Sequence, residues 1–250
     1  MITRNIFICL IVMLPVFLFA RTTETSSSIQ TTSNYELSVT SGIGSYYMPD
    51  MKDLQNTIIR NSTGDIPLFK TTSFPSYFNY SIKYGRFKNS RYEGLTCGMM
   101  STGARSSISD YSGFYYSDIN CLAFHIGYYS RSSFANYQWL KRPLEIGYLV
   151  NCSFLYSFVT LKDNLQLYGL DPLATSSTTL NSIGIYTEPM LYAAYWFGKH
   201  IGVELTAGGA LSISSPLYFE KIRNEVVIFD KKRFANWSGY RISIGLITRF

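Results

Sequence analysis

Polar and apolar side chains alternate along YRISIGLITRF, the segment of residues 240–250. One face of this segment carries Tyr240, Ile242, Ile244, Leu246 and Phe250. Arg241 and Arg249 fall on the other face. A period of two predicts a β-strand whose two faces meet different surroundings. The nature of those surroundings decides the class of the protein.

Seven upstream segments repeat this alternation. They are residues 35–47, 77–87, 92–101, 114–129, 144–157, 183–197 and 201–213. The phase is least clear in the fourth segment, where we place Leu122, Phe124, Ile126 and Tyr128 outward. With the closing segment, the sequence predicts eight antiparallel strands.

The beginning of the sequence predicts export. Residues 1–20 combine a basic start, an apolar stretch and a small residue at Ala20, which is typical of a secretory signal peptide. A membrane anchor is the alternative, but the stretch is interrupted by Pro15 and is shorter than the roughly 20 apolar residues that a spanning helix needs. We expect residues 21–33 to be a Ser/Thr-rich periplasmic tether. Residues 34–250 would form the barrel domain.

Composition favours a membrane barrel over a soluble fold. The chain has 21 Tyr and 17 Phe with only 15% charged residues, and its apolar residues are dispersed by alternation. That combination is typical of a transmembrane β-barrel with a lipid-facing exterior and a polar interior. The net charge of +6 is scattered, so we expect no nucleic-acid partner. Three cysteines follow the signal peptide, and the strand phases predict free thiols at Cys97, Cys121 and Cys152.

The connections are expected to alternate in length. Long ones would follow the first, third, fifth and seventh strands, at residues 49–74, 102–113, 158–182 and 214–234. Short turns would lie at KNSR and GKH, and residues 130–142 are expected to form a longer connection. Long extracellular loops and short periplasmic turns are usual in outer-membrane barrels, so both chain termini are expected on the periplasmic side.

Two loops are expected to have their own structure. Met48, Met51, Leu54 and Ile58 have helical spacing, which predicts a short amphipathic helix over 48–59. Residues 217–230 predict a hairpin that turns at Arg223-Asn224. If that hairpin entered lipid, the barrel would have ten strands, and four charged residues in the span argue against it.

These features together resemble small eight-stranded outer-membrane β-barrels of the OmpX and OmpW kind. The resemblance covers residues 34–250 and implies a transmembrane, up-and-down antiparallel barrel, without fixing one subfamily. In such families the last strand is read by the barrel-insertion machinery. The resemblance therefore implies an insertion signal made of Tyr240, Ile242, Ile244, Leu246 and Phe250.

Charged residues in the inward phase predict a lumenal charge network. Its expected members are Glu36, Lys83, Glu145, Glu188, Glu204 and Arg241, and Arg249 has the same inward phase. An eight-stranded barrel is just wide enough for side chains to fill, so these charges must pair or be hydrated. We expect Glu36 to pair with Lys83, Glu188 to meet Arg241 across the lumen, and Arg241→Ala to lower stability.

The sequence offers no catalytic constellation. Only two histidines exist, both are followed two residues later by glycine, and no metal-ligand or phosphate-loop spacing occurs. We therefore expect a non-enzymatic monomer without cofactor or metal, in contact with outer-membrane lipids and, through its loops, with host or cell-surface ligands. The alternative functions are a narrow transporter or channel for small apolar molecules, and a soluble secreted β-sandwich.

Overall fold

The computed structural model describes residues 34–61, 68–109, 111, 113–139, 142–167, 174–219, 227–229 and 231–250. The predicted signal peptide and tether lie outside the described residues. The predicted turn at Arg223-Asn224 also lies outside them. Eight long strands and one helix make up most of the described chain.

The eight long strands form one antiparallel ring. They are β1 Tyr35–Gly44, β2 Tyr77–Lys88, β3 Arg91–Ser109, β4 Gly113–Trp139, β5 Arg142–Leu167, β6 Ala174–Trp196, β7 Ile201–Ser214 and β8 Gly239–Arg249. Each strand pairs with the next along the chain, and β8 pairs with β1. The predicted eight-stranded, up-and-down antiparallel barrel is confirmed, and ten strands are not needed.

Closure occurs between the first and last strands. Their register runs from Glu36 opposite Arg249 to Gly44 opposite Arg241. The backbone of Phe250 exchanges hydrogen bonds with that of Tyr35, with N···O distances of 2.9 and 3.0 Å. A closed ring leaves no free sheet edge, which matters most where water cannot hydrogen-bond to the backbone.

Side-chain burial follows the predicted phases. On β8, Ile242 and Ile244 are 54% and 59% exposed, whereas Arg241 is 1% exposed. The fourth strand also has the predicted phase, since Phe124 and Ile126 are exposed and His125 is buried. The three cysteines of the described chain are free. Cys121 is buried, and Cys97 and Cys152 are exposed, as predicted.

Several strands are longer than the sequence predicts. β4, β5 and β6 have 27, 26 and 23 residues, about twice the 9–11 residues that cross a bilayer. The predicted long connections at 102–113 and 158–182 are therefore largely wrong, because β3 pairs with β4 up to Ser109 opposite Phe114 and β5 pairs with β6 up to Leu165 opposite Ala174. These extensions form a sheet that rises beyond one end of the barrel.

The connection between β4 and β5 is also shorter than predicted. β4 runs to Trp139 and β5 begins at Arg142, so the connection expected at 130–142 is mostly strand. A bulge between Ser133 and Ala135 shifts the alternation there, which explains why the pattern resembled a loop.

The predicted helix is present as α1, Pro49–Asn61. Met51, Leu54 and Gln55 are buried, and Ile58 packs against the same apolar cluster. We call this end of the barrel the helix end, and the opposite end, with the tight turn at Asn89-Ser90, the turn end. No helix among the described residues has the length and hydrophobicity needed to cross a membrane.

Buried apolar side chains fill the barrel mouth beneath α1. This apolar cap includes Tyr46, Met48, Met51, Leu54, Phe74, Leu217 and Trp237. Tyr46 meets Trp237 edge-on with ring centroids 5.2 Å apart, and the indole Nε1 of Trp237 donates to Ser157 Oγ at 2.9 Å. The short strand Phe69–Ser73 pairs with β3 beside this cap.

An ionic contact holds α1 to the segment before β8. The two-stranded hairpin there pairs Val227–Ile228 with Lys231–Lys232, and it is followed by Arg233, whose side chain is only 2% exposed. The Arg233 guanidinium donates to the Asp53 carboxylate, and the Lys231 ammonium lies 3.4 Å from the same carboxylate. The hydrogen bond from Arg233 lowers the pKa of Asp53 below its ordinary value.

We predict that Asp53→Asn loosens α1. Losing this partly exposed pair costs roughly 1 kcal/mol, so amide hydrogen exchange across 49–61 at pH 7 should be roughly five-fold faster. Because the pKa of Asp53 is lowered, its contribution is present above the ordinary value of 3.8 and is lost as the pH falls below it. Glu93→Gln, at the turn end, is the control. Equal protection of α1 in wild type and Asp53→Asn would contradict this role.

Candidate functional site

Five charged side chains converge inside the turn end of the barrel. We call this group the arginine cluster: Glu36 on β1, Arg131 on β4, Glu145 on β5, Glu204 on β7 and Arg249 on β8. All five are at most 6% exposed. Five different strands contribute, so the cluster forms only when the sheet is closed.

Each carboxylate of the cluster is close to a guanidinium. Arg131 Nη1 lies 2.6 Å from Glu204 Oε2 and 3.5 Å from Glu36 Oε1. Arg249 Nε lies 3.0 Å from Glu36 Oε2, and Arg249 Nη1 lies 2.9 Å from Glu145 Oε2. Two arginines therefore serve three carboxylates, and Arg131 is the link to Glu204.

Neutral donors and aromatic rings complete the cluster. Glu145 accepts hydrogen bonds from Tyr192 OH at 2.6 Å and from Trp196 Nε1 at 3.2 Å. The Arg131 guanidinium lies 3.8 Å from the centroid of the Tyr192 ring, and that of Arg249 lies 4.3 Å from the centroid of the Trp196 ring. These contacts replace water around charges that the lumen desolvates.

A second polar layer lies between the arginine cluster and the apolar cap. Its principal side chains are Lys83, His125, Tyr186, Glu188 and Arg241, and they line an internal cavity of about 10 Å³. That volume is close to the space needed by a single water molecule. We call this layer the central chamber.

Two expected ion pairs are wrong. Glu36 contacts Arg249 and Arg131 rather than Lys83, whose Nζ donates to Ser81 Oγ at 3.2 Å. The reason is strand stagger: Lys83 stands opposite Ser38, one pleat away from Glu36. Arg249 stands directly opposite Glu36.

The second corrected pair is Glu188 with Arg241. Both line the central chamber, but Glu188 accepts from Asn151 Nδ2 at 2.7 Å. Arg241 donates instead to the backbone oxygens of Ser45, at 2.6 Å, and Trp237, at 3.0 Å. Its guanidinium thus holds the base of the apolar cap, and its Nη2 also contacts Met100 Sδ of β3 at 3.4 Å.

Arg131 is the cluster member that the sequence did not single out. Arg131 is the next inward residue of β4 after Tyr129, and Tyr129 is the last residue of the predicted strand. Extending the alternation by two residues would have identified it, but the bulge at Ser133 to Ala135 concealed the extension.

The segment predicted as an insertion signal lies on the exterior. Tyr240, Ile242, Ile244, Leu246 and Phe250 are between 54% and 63% exposed. Phe250 and Tyr35 stack across the closure with ring centroids 6.1 Å apart. The segment thus offers an apolar row on the outer wall, interrupted at Thr248.

The described side chains of the site provide charge pairing, and both histidines make structural contacts. His125 is buried beside Tyr186, with ring centroids 5.1 Å apart, and His200 contacts the Arg249 carbonyl oxygen in a turn. Within the part of the chain that the structure describes, no group of three His, Cys, Asp or Glu side chains could hold a metal ion.

The outer wall decides the class of the protein. Every strand of the ring presents large apolar side chains that are 44–71% exposed. We call these side chains the outer belt: Val39, Ile43, Phe78, Tyr80, Ile82, Tyr84, Leu95, Phe124, Ile126, Phe154, Ile183, Ile185, Leu191, Ile201, Leu205, Ile242, Ile244 and Leu246. A closed sheet with a polar lumen and an apolar exterior is the reverse of a water-soluble protein.

The chain is a small eight-stranded transmembrane β-barrel. No family model matches the barrel, and no curated protein matches it either. Among solved structures, it is similar to Neisserial surface protein A, with 12% identity, 86% of this chain and 96% of the other covered, and a TM-score of 0.37.

Ail, the attachment invasion locus protein of Yersinia pestis, is a second similar structure. It has 9% identity, covers 87% of this chain and 99% of its own, and gives a TM-score of 0.32. The Ail complex with the heparin analogue sucrose octasulfate has 10% identity, the same coverages and a TM-score of 0.34. The assignment of this barrel rests on its own strand ring and outer belt.

We predict that Arg131→Met destabilises the barrel by about 3–5 kcal/mol, because it leaves the Glu204 carboxylate buried and unpaired. Adding Glu204→Gln should recover part of that loss, since the uncompensated charge is then removed. Urea unfolding in detergent micelles, followed by tryptophan fluorescence, measures both. Arg91→Met, which removes an ion pair at the surface, is the matched control and should change stability by less than about 1 kcal/mol. A similarly small effect of Arg131→Met would show that the cluster does not stabilise the fold.

Proposed function

We propose that the protein is a non-enzymatic barrel of the bacterial outer membrane with a structural or surface-interaction role. The outer belt is the observation that carries this proposal. Such a band of exposed apolar side chains around a closed sheet requires a lipid environment. Outer-membrane lipids are therefore its first partners, and the closed ring suits a monomer because no strand edge is left to pair.

We propose further that the lumen is plugged by side chains. The arginine cluster, the central chamber and the apolar cap succeed one another along the barrel axis. The internal cavity between them is about 10 Å³, far smaller than a hydrated solute. Glu36, Lys83, Glu145, Glu188, Glu204 and Arg241 would thus act as a structural network rather than as a solute path.

The helix end would face the exterior of the cell. It carries α1, the extended sheet of β3 to β6 and the hairpin before β8, whereas the turn end has tight connections such as Asn89-Ser90. Long extracellular and short periplasmic connections are the rule in this class. Both termini would then be periplasmic, and the raised sheet would present the surface for host or cell-surface ligands.

The outward row of β8 supports recognition by the barrel-insertion machinery. Tyr240, Ile242, Ile244, Leu246 and Phe250 are exposed in the folded barrel, and before closure the edge of β8 that pairs with β1 is free. A partner that pairs with or covers this strand would protect it until β1 takes its place.

A narrow transporter for small apolar molecules remains the second candidate. It would need a path between the outer wall and the lumen. The pairing of β3, β4 and β5 continues without a gap through Cys97, Ile126 and Phe154, which supports the closed barrel over a lateral opening.

The test of the proposed function is outer-membrane fractionation combined with a heated-versus-unheated gel. We expect the protein in the outer-membrane fraction, with a band whose mobility changes on boiling because the closed barrel resists unfolding in detergent. Full recovery in the supernatant after ultracentrifugation, with no mobility change, would instead support the soluble β-sandwich.

The same purified protein separates the plugged barrel from a transporter. In planar bilayers we expect no solute-sized conductance, because three layers of side chains occupy the lumen. A sixteen-stranded porin, which leaves an aqueous channel, is the positive control. Steady conductance by the folded wild-type protein would overturn the plug.

A further inference from the structure

The outer wall of β2 to β6 contains an apolar concavity of about 520 Å³. Ile82, Cys97, Ile126 and Phe154 line its half nearer the turn end. The backbone of Gly98 forms part of its floor, and a Cβ there would point into the lumen and lie 2.3 Å from His125 Nε2. A concavity of this volume is wide enough to hold part of a lipid acyl chain.

A basic patch lies on β2 and β3, closer to the turn end. The outward row of β2 continues past Ile82 and Tyr84 to Arg86 and Lys88, both of which are exposed. Arg91 follows across the tight turn, where Asn89 and Ser90 have positive φ values of 50° and 63°. The row therefore passes from apolar through aromatic to cationic side chains, which is the order of a membrane interface.

Arg86 and Lys88 are available to a ligand. Glu93 is the acidic residue of this surface, and it pairs with Arg91 and accepts from Tyr128 OH at 2.8 Å. Across the described residues, neither Arg86 nor Lys88 has a carboxylate within 4.0 Å. Arg86 stands opposite Glu93 in the register of β2 and β3, so the carboxylate nearest to it along the sheet is the one already paired with Arg91.

The spacing of the two features suits one lipid molecule. Four residues separate Arg86 from Ile82, or roughly 13 Å at the rise of a β-strand. One leaflet of a bilayer has a hydrocarbon thickness of roughly 15 Å. A phosphate at Arg86 and Lys88 would therefore place an acyl chain of the same molecule in the concavity.

We propose that this surface binds one anionic glycerophospholipid of the periplasmic leaflet. Arg86 and Lys88 hold its phosphate, Tyr84 contacts the glycerol region, and the concavity at Ile82 and Cys97 holds one acyl chain. This inference rests on the proposed membrane location and orientation, and it adds a specific lipid site to them.

The test is native mass spectrometry of the full chain in detergent with equal amounts of phosphatidylglycerol and phosphatidylcholine of identical acyl chains. We expect one retained phosphatidylglycerol. Arg86→Gln with Lys88→Gln should reduce its retention about 30-fold, because each surface cation strengthens the binding of an anionic lipid by roughly five-fold. Cys97→Trp, which fills the concavity and leaves the charges in place, should also reduce retention.

Matched variants make the outcome unambiguous. Lys70→Gln with Lys232→Gln removes two exposed lysines of the helix end and should leave retention unchanged. Arg86→Lys keeps the charge and should retain the lipid. The heated-versus-unheated gel first establishes that each variant is folded.

Equal retention of the two lipids by folded wild-type protein would overturn the site while leaving the membrane barrel intact. Stronger retention of lipid A than of phosphatidylglycerol would overturn the assigned lipid and leaflet. A protein that stays monomeric in buffer without detergent would overturn the proposed function itself.

Discussion

Pairing of β8 with β1 is the constraint on which the other features of this protein depend. In a hydrocarbon environment every backbone N–H and C=O must be satisfied within the protein, and only a closed ring satisfies the two outermost strands. Closure brings Arg249 opposite Glu36. It also places Arg131, from the far side of the ring, within reach of Glu204 and Glu36. The arginine cluster thus forms because the sheet closes, and its ion pairs in turn stabilise the closed ring.

A narrow lumen determines what the inward side chains can do. Charges that face it lose water and must find partners within the barrel, so two arginines and two aromatic donors gather around three carboxylates. Toward the helix end the inward positions change to apolar residues, and α1 covers them with Met51 and Leu54. The same ring therefore gives a charged layer at one end and an apolar layer at the other, while all its strands keep an apolar exterior.

The strand phases could be predicted from the sequence because the alternation depends only on which side a residue faces. Eight strands, the lipid-facing rows, the free thiols and α1 all follow from such local patterns. The pairing of lumenal charges could not be predicted in this way, because it depends on stagger between strands. Lys83 stands opposite Ser38, two residues from Glu36. No local sequence pattern indicates this offset between the two strands.

The extensions of the strands beyond the outer belt could not be predicted from the sequence either. Among residues 102–109 only Ala104 and Ile108 are apolar, so the span shows little of the alternation that identifies a half-buried strand, yet it pairs with β4 up to Ser109. Arg131 was hidden for a related reason, since the bulge at Ser133 to Ala135 interrupts the period just beyond it. In both places the strand is defined by backbone pairing with its neighbour, which the polarity of the side chains does not indicate.

Disulfide trapping from a single position on β1 tests the closure most directly. Val39 stands opposite Ile82 of β2 and opposite Leu246 of β8. In a background of Cys97→Ser, Cys121→Ala and Cys152→Ser, Val39→Cys would be combined with Ile82→Cys or with Leu246→Cys and oxidised in membranes. A closed barrel predicts an intramolecular disulfide in both pairs, because facing residues of paired strands lie within disulfide reach. A disulfide with position 82 but none with position 246 would show an open sheet and contradict the account.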